Sequence, residues 1–295
     1  MMDKKGIIRL TLMKFIIGII TLAILLFLIT NVVYPFIFSS TTKEACRTSV
    51  LLRSWILEKE PGIVEPLFKA NPINCKTEYK CLTNGGECPQ KYQKIKVEDD
   101  RAINAELAGS LYDCWWMLGE GKAEFLGDWE SGVYKGDSHC VICSVISFDD
   151  KIKYQKEKVG GLNKYMNEEK IPGKNITFSQ YITFNITGKT KDEGAIDEIS
   201  TAKQYAVVFI IGKSTTVGRI LTHAAAGAAG GVAIGFVFPG LGNLIGLGGG
   251  AIGGTILGLV ESVLLTKPEF ATALILADYN AEGITQSCGV LESLP

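Results

Sequence analysis

From Phe15 to Phe38 the chain reads FIIGIITLAILLFLITNVVYPFIF, with no charged side chain. About 20 apolar residues suffice for a helix to cross the hydrocarbon core of a bilayer, so this pattern predicts a transmembrane helix over 15–38. Lys4, Lys5, Arg9 and Lys14 precede it. The positive-inside tendency then keeps residues 1–14 in the cytoplasm and sends the chain after Phe38 outward. A cleaved signal peptide has a shorter apolar core and an A-x-A site; neither feature fits, so an uncleaved anchor is expected.

Beyond the anchor the hydrophobic period changes along the chain. Residues 44–60 carry Leu51, Leu52, Trp55 and Ile56 before Pro61-Gly62 and predict a helix. A second helix is expected from Glu98 to Leu118, with Ile103, Leu107, Leu111, Cys114 and Leu118 on one face and Gly119-Glu120-Gly121 as its stop. Trp115 and Trp116 adjoin that face and are expected in the core. Residues 176–186 alternate apolar and polar side chains, which predicts a strand with one face in the core. Tyr205–Ile211 and Ala271–Ala277 are continuous apolar runs, expected as buried central strands. Helices and strands in this order give an α+β domain. Its expected extent is 39–221, completed by a C-terminal strand region, 267–295.

Between Arg219 and Glu261 no residue is charged, and glycine recurs every fourth position: Gly227, Gly231 and Gly235, then Gly242, Gly246, Gly250, Gly254 and Gly258. Pro239-Gly240 separates the two series. An interior glycine costs a helix in water about 1 kcal/mol relative to alanine, so such helices need close packing or lipid. Residues 222–266 are therefore expected to form an inserted transmembrane helical hairpin. At ~1.5 Å per residue its arms, Thr222–Phe238 and Leu241–Leu265, are about 25 and 37 Å long. This segment resembles the glycine-zipper membrane segments of envelope and channel-forming proteins. The resemblance implies helix packing, hairpin formation or homo-oligomerisation, and no catalytic residue.

The formal net charge of −1 over 295 residues supplies no basic field, which argues against a nucleic-acid partner. All eight cysteines, Cys46, Cys75, Cys81, Cys88, Cys114, Cys140, Cys143 and Cys288, follow the anchor. An even number in an exported region points to disulfides, with the pairing open. Cys140 and Cys143 lie in a strand-like run, CVICSVISF, where an i, i+3 spacing sends the sulfurs to opposite faces and to different partners. A redox CxxC normally starts at a helix N-terminus, unlike this one. The spacings of Cys75, Cys81 and Cys88 are wider than zinc knuckles use, and KCLTNGGECP suggests a disulfide-stapled loop instead. His139 and Asp137 stand close to Cys140, yet no nucleophile, base and oxyanion set assembles around them. Catalytic residues, metal ligands and cofactors are thus not expected. Asn175-Ile-Thr177 and Asn185-Ile-Thr187 are glycosylation sequons, whose asparagines share the polar parity of the expected strand.

The opening Lys4-Lys5-Gly6 resembles a prepilin processing site, but the early acidic residue of that class is missing. With its helix anchor, Cys-Trp-Trp helix and Cys-x-x-Cys strand, the whole chain resembles membrane-anchored surface proteins of small-genome archaea. The expectation is a non-enzymatic envelope protein whose external domain makes structural or cell-surface contacts. Its expected partners are the lipid bilayer, further copies of itself through the glycines, and an envelope or neighbouring-cell surface protein. A pore-forming or fusion protein and a membrane-tethered thiol–disulfide oxidoreductase stand as alternatives.

Overall fold

The structure, a computed structural model, describes residues 14, 16–25, 27, 43–59, 73–123, 138–182, 198–213, 234–238, 270–279 and 290–293. Helices α1 (Lys43–Lys59) and α2 (Asp100–Met117) fall where the apolar stripes place them. Asp99 caps α2 by accepting a 2.7 Å hydrogen bond from the Ala102 amide, satisfying one of the open N–H groups of the first turn. Ile103, Leu107, Leu111 and Cys114 are buried along one side of α2, as the 3.6-residue period requires. Trp115 is fully buried, its ring 5.8 Å from that of Phe209.

The main sheet is mixed. Strands β1 (Glu78–Thr83), β2 (Gln93–Lys96), β3 (Ser138–Phe148), β6 (Tyr205–Lys213), β7 (Ile234–Phe238), β8 (Phe270–Asp278) and β9 (Val290–Ser293) lie in the order β2-β1-β3-β6-β8-β7. β9 runs parallel to β3 along His139–Ile142, on the edge that β1 occupies along Ser144–Phe148. β2, β1 and β3 are mutually parallel, whereas β6, β8 and β7 alternate in direction. Between β3 and β6 come short helices α3 (Asp150–Gln155), α4 (Leu162–Glu168) and α5 (Phe178–Ile182), and a two-stranded ribbon pairs β4 (Lys158–Gly160) with β5 (Glu198–Ser200).

The chain is thus α+β, as expected, and both apolar runs, Tyr205–Ile211 and Ala271–Ala277, are central strands. Every residue of β3 is buried. One face of the sheet, including Val207, Phe209 and Leu274, packs with Leu107, Leu111 and Trp115 of α2. The other face carries a separate apolar cluster.

Two expectations fail. Residues 178–182, expected within a strand over 176–186, form a helical turn. Thr177 and Gln180 explain it: the Gln180 amide donates to Thr177 Oγ1 at 3.2 Å and the Thr177 amide donates to Gln180 Oε1 at 2.9 Å, a reciprocal capping box. Phe178 and Ile182 are four apart, so they serve a helical face as well as an alternating one, and both are buried. Residues 234–238, expected inside the first helical arm of the hairpin, form β7 instead. Gly235 is a strand residue opposite Ile275, and ladder hydrogen bonds to β8 take the place of helical ones. The other seven glycines of the series lie outside the described residues. Among those residues no helix is long and apolar enough to cross a membrane.

Three disulfides are described: Cys46–Cys75, Cys81–Cys88 and Cys114–Cys143. Cys140 is also disulfide-bonded, and Cys288 lies outside the described residues. Cys143 belongs to the helix-covered face and Cys140 to the opposite cluster, which is the separation that the i, i+3 spacing demands. The Cys81–Cys88 loop is held from inside by Asp149. One carboxylate oxygen accepts from the Thr83 hydroxyl at 2.7 Å and from the amides of Asn84 and Gly86 at 2.9 and 2.6 Å; the other accepts from the Ile152 amide at 2.7 Å. A Cβ at Gly86 would stand 2.5 Å from that carboxylate, so glycine is required by the close approach.

Burial alone would raise the Asp149 carboxyl, but these donors outweigh it and hold the group below the ordinary aspartate range. Its stabilising effect is therefore complete above the unfolded value, near 3.9, and is lost as pH falls through the depressed native value. In the full chain, Asp149→Ala is expected to cost about 3 kcal/mol at neutral pH by denaturant titration, because three amides and a hydroxyl lose their acceptor. The deficit relative to wild type should shrink as the pH is lowered past that value. Replacing Cys114 and Cys143 together by alanine is expected to cost about 2–4 kcal/mol in the same assay under oxidising conditions.

Candidate interaction cleft

Where α1, the start of β1 and the end of α2 meet, charged side chains cross from helix to strand. Lys80 points from β1 toward α2 and is buried, its side chain 5 % exposed. A buried ammonium needs partners. Its Nζ donates to Glu106 at 3.0 Å and to Ser110 at 3.0 Å, and pairs with Glu78 at 3.1 Å. Lys43 of α1 pairs with Asp113 and lies 3.7 Å from Glu78. Glu78 therefore joins two lysines, and through them β1 to both helices.

The partners of the Lys43–Asp113 pair respond unequally. Burial disfavours the Lys43 ammonium, but Asp113, Glu78 and Glu106 outweigh it and raise its pKa. At Asp113 burial is the larger influence and raises the carboxyl despite the lysines beside it. Three carboxylates face two ammonium groups here.

Beside this network opens a cleft of about 240 Å³ lined by Lys43, Lys76, Glu78, Tyr79, Lys91 and Gln93, with Thr77 and the Cys46–Cys75 region at its floor. Lys76 and Lys91 are exposed. Tyr79 packs against Tyr92 with ring centroids 5.4 Å apart, giving the rim an aromatic wall. Lys43 and Glu78 are engaged in the network, so Lys76 and Lys91 are the cationic groups that the cleft presents, and the tyrosines add apolar area.

A second junction keeps α1 in place. Gly119, Glu120 and Gly121 all have positive φ, 77°, 60° and 68°. Added Cβ atoms would stand 2.4 Å from the Ala123 Cβ at Gly119 and 2.5 Å from the Trp115 ring at Gly121. Glu120 tolerates the left-handed region because Arg47 pairs with it at 3.1 Å and the Tyr181 hydroxyl donates to it at 2.9 Å. Arg47 also donates to the Trp116 carbonyl and lies 4.7 Å over its ring. Burial and then the Glu120 carboxylate push the Tyr181 phenol far above its ordinary value, so it stays a donor.

Asn175 lies in an exposed turn, where its side-chain oxygen accepts from Lys170 at 2.7 Å; Asn185 lies outside the described residues. His139 is buried in β3. Cys143 is bonded to Cys114, so Cys140 and Cys143 do not form a redox dithiol pair with each other. Among the described residues no group of His, Cys, Asp or Glu could hold a metal ion. Lys80 and the cleft lysines escaped the sequence reading, although Glu106, Ser110 and Asp113 carry a trace of them. They repeat at four and three residues, a polar stripe beside the apolar one on α2.

The chain matches no protein-family model, and no curated protein or solved structure is significantly similar to it.

Lys80→Met is expected to destabilise the full chain by about 2–3 kcal/mol in a denaturant titration, since Glu106 and Glu78 would keep their charges beside an apolar side chain. Lys80→Met combined with Glu106→Gln should recover part of that loss.

Proposed function

We propose that this is a non-enzymatic, membrane-anchored envelope protein whose oxidised external domain binds an acidic partner surface through the lysine-lined cleft. The observation that carries the anchoring is the helical stretch 16–25. Ile16, Ile17, Ile19, Ile20, Leu22, Ile24 and Leu25 point around its whole circumference, and each is 48–58 % exposed. A helix apolar all round belongs either in a large core or in lipid, and among the described residues these side chains stay half exposed. Together with residues 26–38 it provides the apolar length for one crossing. The three described disulfides fit the oxidising side of that membrane.

The partner is read from the cleft: Lys76 and Lys91 supply charge, while Tyr79 and Gln93 supply contact area and hydrogen bonding. An acidic protein surface on the envelope or on a neighbouring cell has the matching chemistry. The glycine series from Gly242 to Gly258 adds a close-packing element for lipid contact or homo-oligomerisation, and the sequons at Asn175 and Asn185 suit an external location. Pore formation and thiol–disulfide exchange draw less support, the latter because Cys143 is committed to Cys114.

Expressed full length, the protein should stay in the membrane pellet after alkaline carbonate washing, and the chain lacking residues 1–38 should not. Release of the full chain into detergent-free buffer would sink the anchoring. For the cleft, Lys76→Glu with Lys91→Glu should weaken binding to a polyglutamate surface at least tenfold at 0.05 M salt and remove most of its salt dependence. Unchanged binding would sink the acidic-partner reading.

A further inference from the structure

We propose that the open edge of β2 receives an extended acidic segment of the partner as one more strand of the main sheet. Resting on the acidic-partner reading of the cleft, this gives the partner a backbone conformation as well as a charge. β2 stands at one end of the sheet and, among the described residues, pairs with β1 alone. An edge strand offers open amides and carbonyls to any extended chain that fits it.

Ladder phase identifies the open groups. The Val97 amide donates to the Thr83 carbonyl at 2.9 Å, so the backbone of Val97 is turned toward β1. Along a pleated strand the backbone groups of successive residues point to alternate neighbours. Gln93 and Ile95 therefore face β1 as Val97 does, while Lys94 and Lys96 turn their N–H and C=O groups outward. β1 keeps the complementary phase, since the Asp149 amide donates at 2.9 Å to the Leu82 carbonyl on the β3 side. Gln93, Lys94 and Lys96 are all exposed.

Side chains then select what fits. Leu82, opposite Ile95, belongs to the α2-side core, and Ile95 packs against that core. Alternation puts Lys94 and Lys96 together on the other face. An added strand sets its own side chains beside these, close enough for opposite charges to attract and like charges to repel. Acidic residues at every second position match the two lysines, and β-branched residues between them extend the apolar surface of Ile95.

The same lysines oppose pairing of β2 with a second copy of itself, which would bring ammonium groups side by side. Lys96 lies 3.0 Å from Glu98, but the two side chains are 76 % and 77 % exposed, and a pair so open to water yields readily to another carboxylate. Strand addition at a sheet edge takes affinity from main-chain hydrogen bonds and selectivity from alternate side chains, and both are on offer here. The edge also continues the cleft. Gln93, the first residue of β2, lines the cleft together with Lys91, so one acidic segment can engage both.

The test uses the full chain in detergent, isotopically labelled at lysine, and a blocked peptide of alternating glutamate and valine. On binding, the Lys94 and Lys96 amides should exchange with solvent at least about tenfold more slowly. Two N-methylated versions of the peptide keep its charge. Methylation of the glutamate amides blocks antiparallel addition and methylation of the valine amides blocks parallel addition, because those are the amides that each ladder aims at β2. One of the two should bind at least about tenfold more weakly than the parent peptide. Equal binding by all three, with lysine exchange unchanged, overturns the added strand. The cleft is judged separately, by the response of polyglutamate binding to Lys76→Glu with Lys91→Glu: where that response is seen and the Lys94 and Lys96 amides stay unprotected, the edge fails and the cleft stands. Slower exchange of these amides on concentrating the protein without peptide assigns the edge to a second copy and likewise overturns the proposal.

Discussion

Burial of the central strands on both faces is the constraint from which the rest of the architecture follows. Antiparallel sheets commonly leave one face to water and show it by alternating polar residues. β3, β6 and β8 do not, because both parities of each strand are apolar or small. Both faces are buried, and they differ in kind. The α2 face is filled by Trp115, Phe209 and a row of leucines, whereas the second face is paved with alanine, valine and isoleucine. Large side chains hold a helix away from a sheet, while small ones draw it close. The asymmetry is built into the strands before any covering element arrives.

The charged network at the edge of the α2 layer is a second consequence of the same packing. β1 lies near the margin of the sheet, and there a lysine, Lys80, is buried against α2. Lys80 is accommodated because α2 offers Glu106 and Ser110 one turn apart, and because Glu78 lies two residues earlier on its own strand. Such a network adds little net stability beyond what an apolar filling would give, but it fixes how α1, α2 and β1 meet. The cleft owes its shape to that meeting. Lys43 and Lys80 are held in that network, whereas Lys76 and Lys91 are exposed in the cleft.

Much of the fold was legible in the residues. Apolar period gave α1 and α2, continuous runs gave β6 and β8, and the i, i+3 spacing separated Cys140 from Cys143. The failures share one cause: a pattern that served two structures. Phe178 and Ile182 satisfy alternation and helical period alike, and the deciding signal was Thr177 with Gln180 three residues later. Gly235 satisfies a four-residue glycine repeat and also sits in a strand, and only tertiary pairing with β8 decides between them. The site was less legible than the fold. Lys80 comes from β1, Glu106 and Asp113 from α2 and Lys43 from α1, and nothing local announces that the three elements converge.

β9 carries a consequence for how the domain is made. It occupies the stretch of β3 edge beside His139–Ile142 that β1 leaves open, yet it follows every other described strand in the order of synthesis. Until it arrives, β3, every residue of which is buried in the finished domain, presents unpaired amides and carbonyls along His139–Ile142, a template for misassociation with other nascent chains. A sheet whose central edge is closed by its last described strand stays open to mispairing until the chain has been made as far as Val290–Ser293.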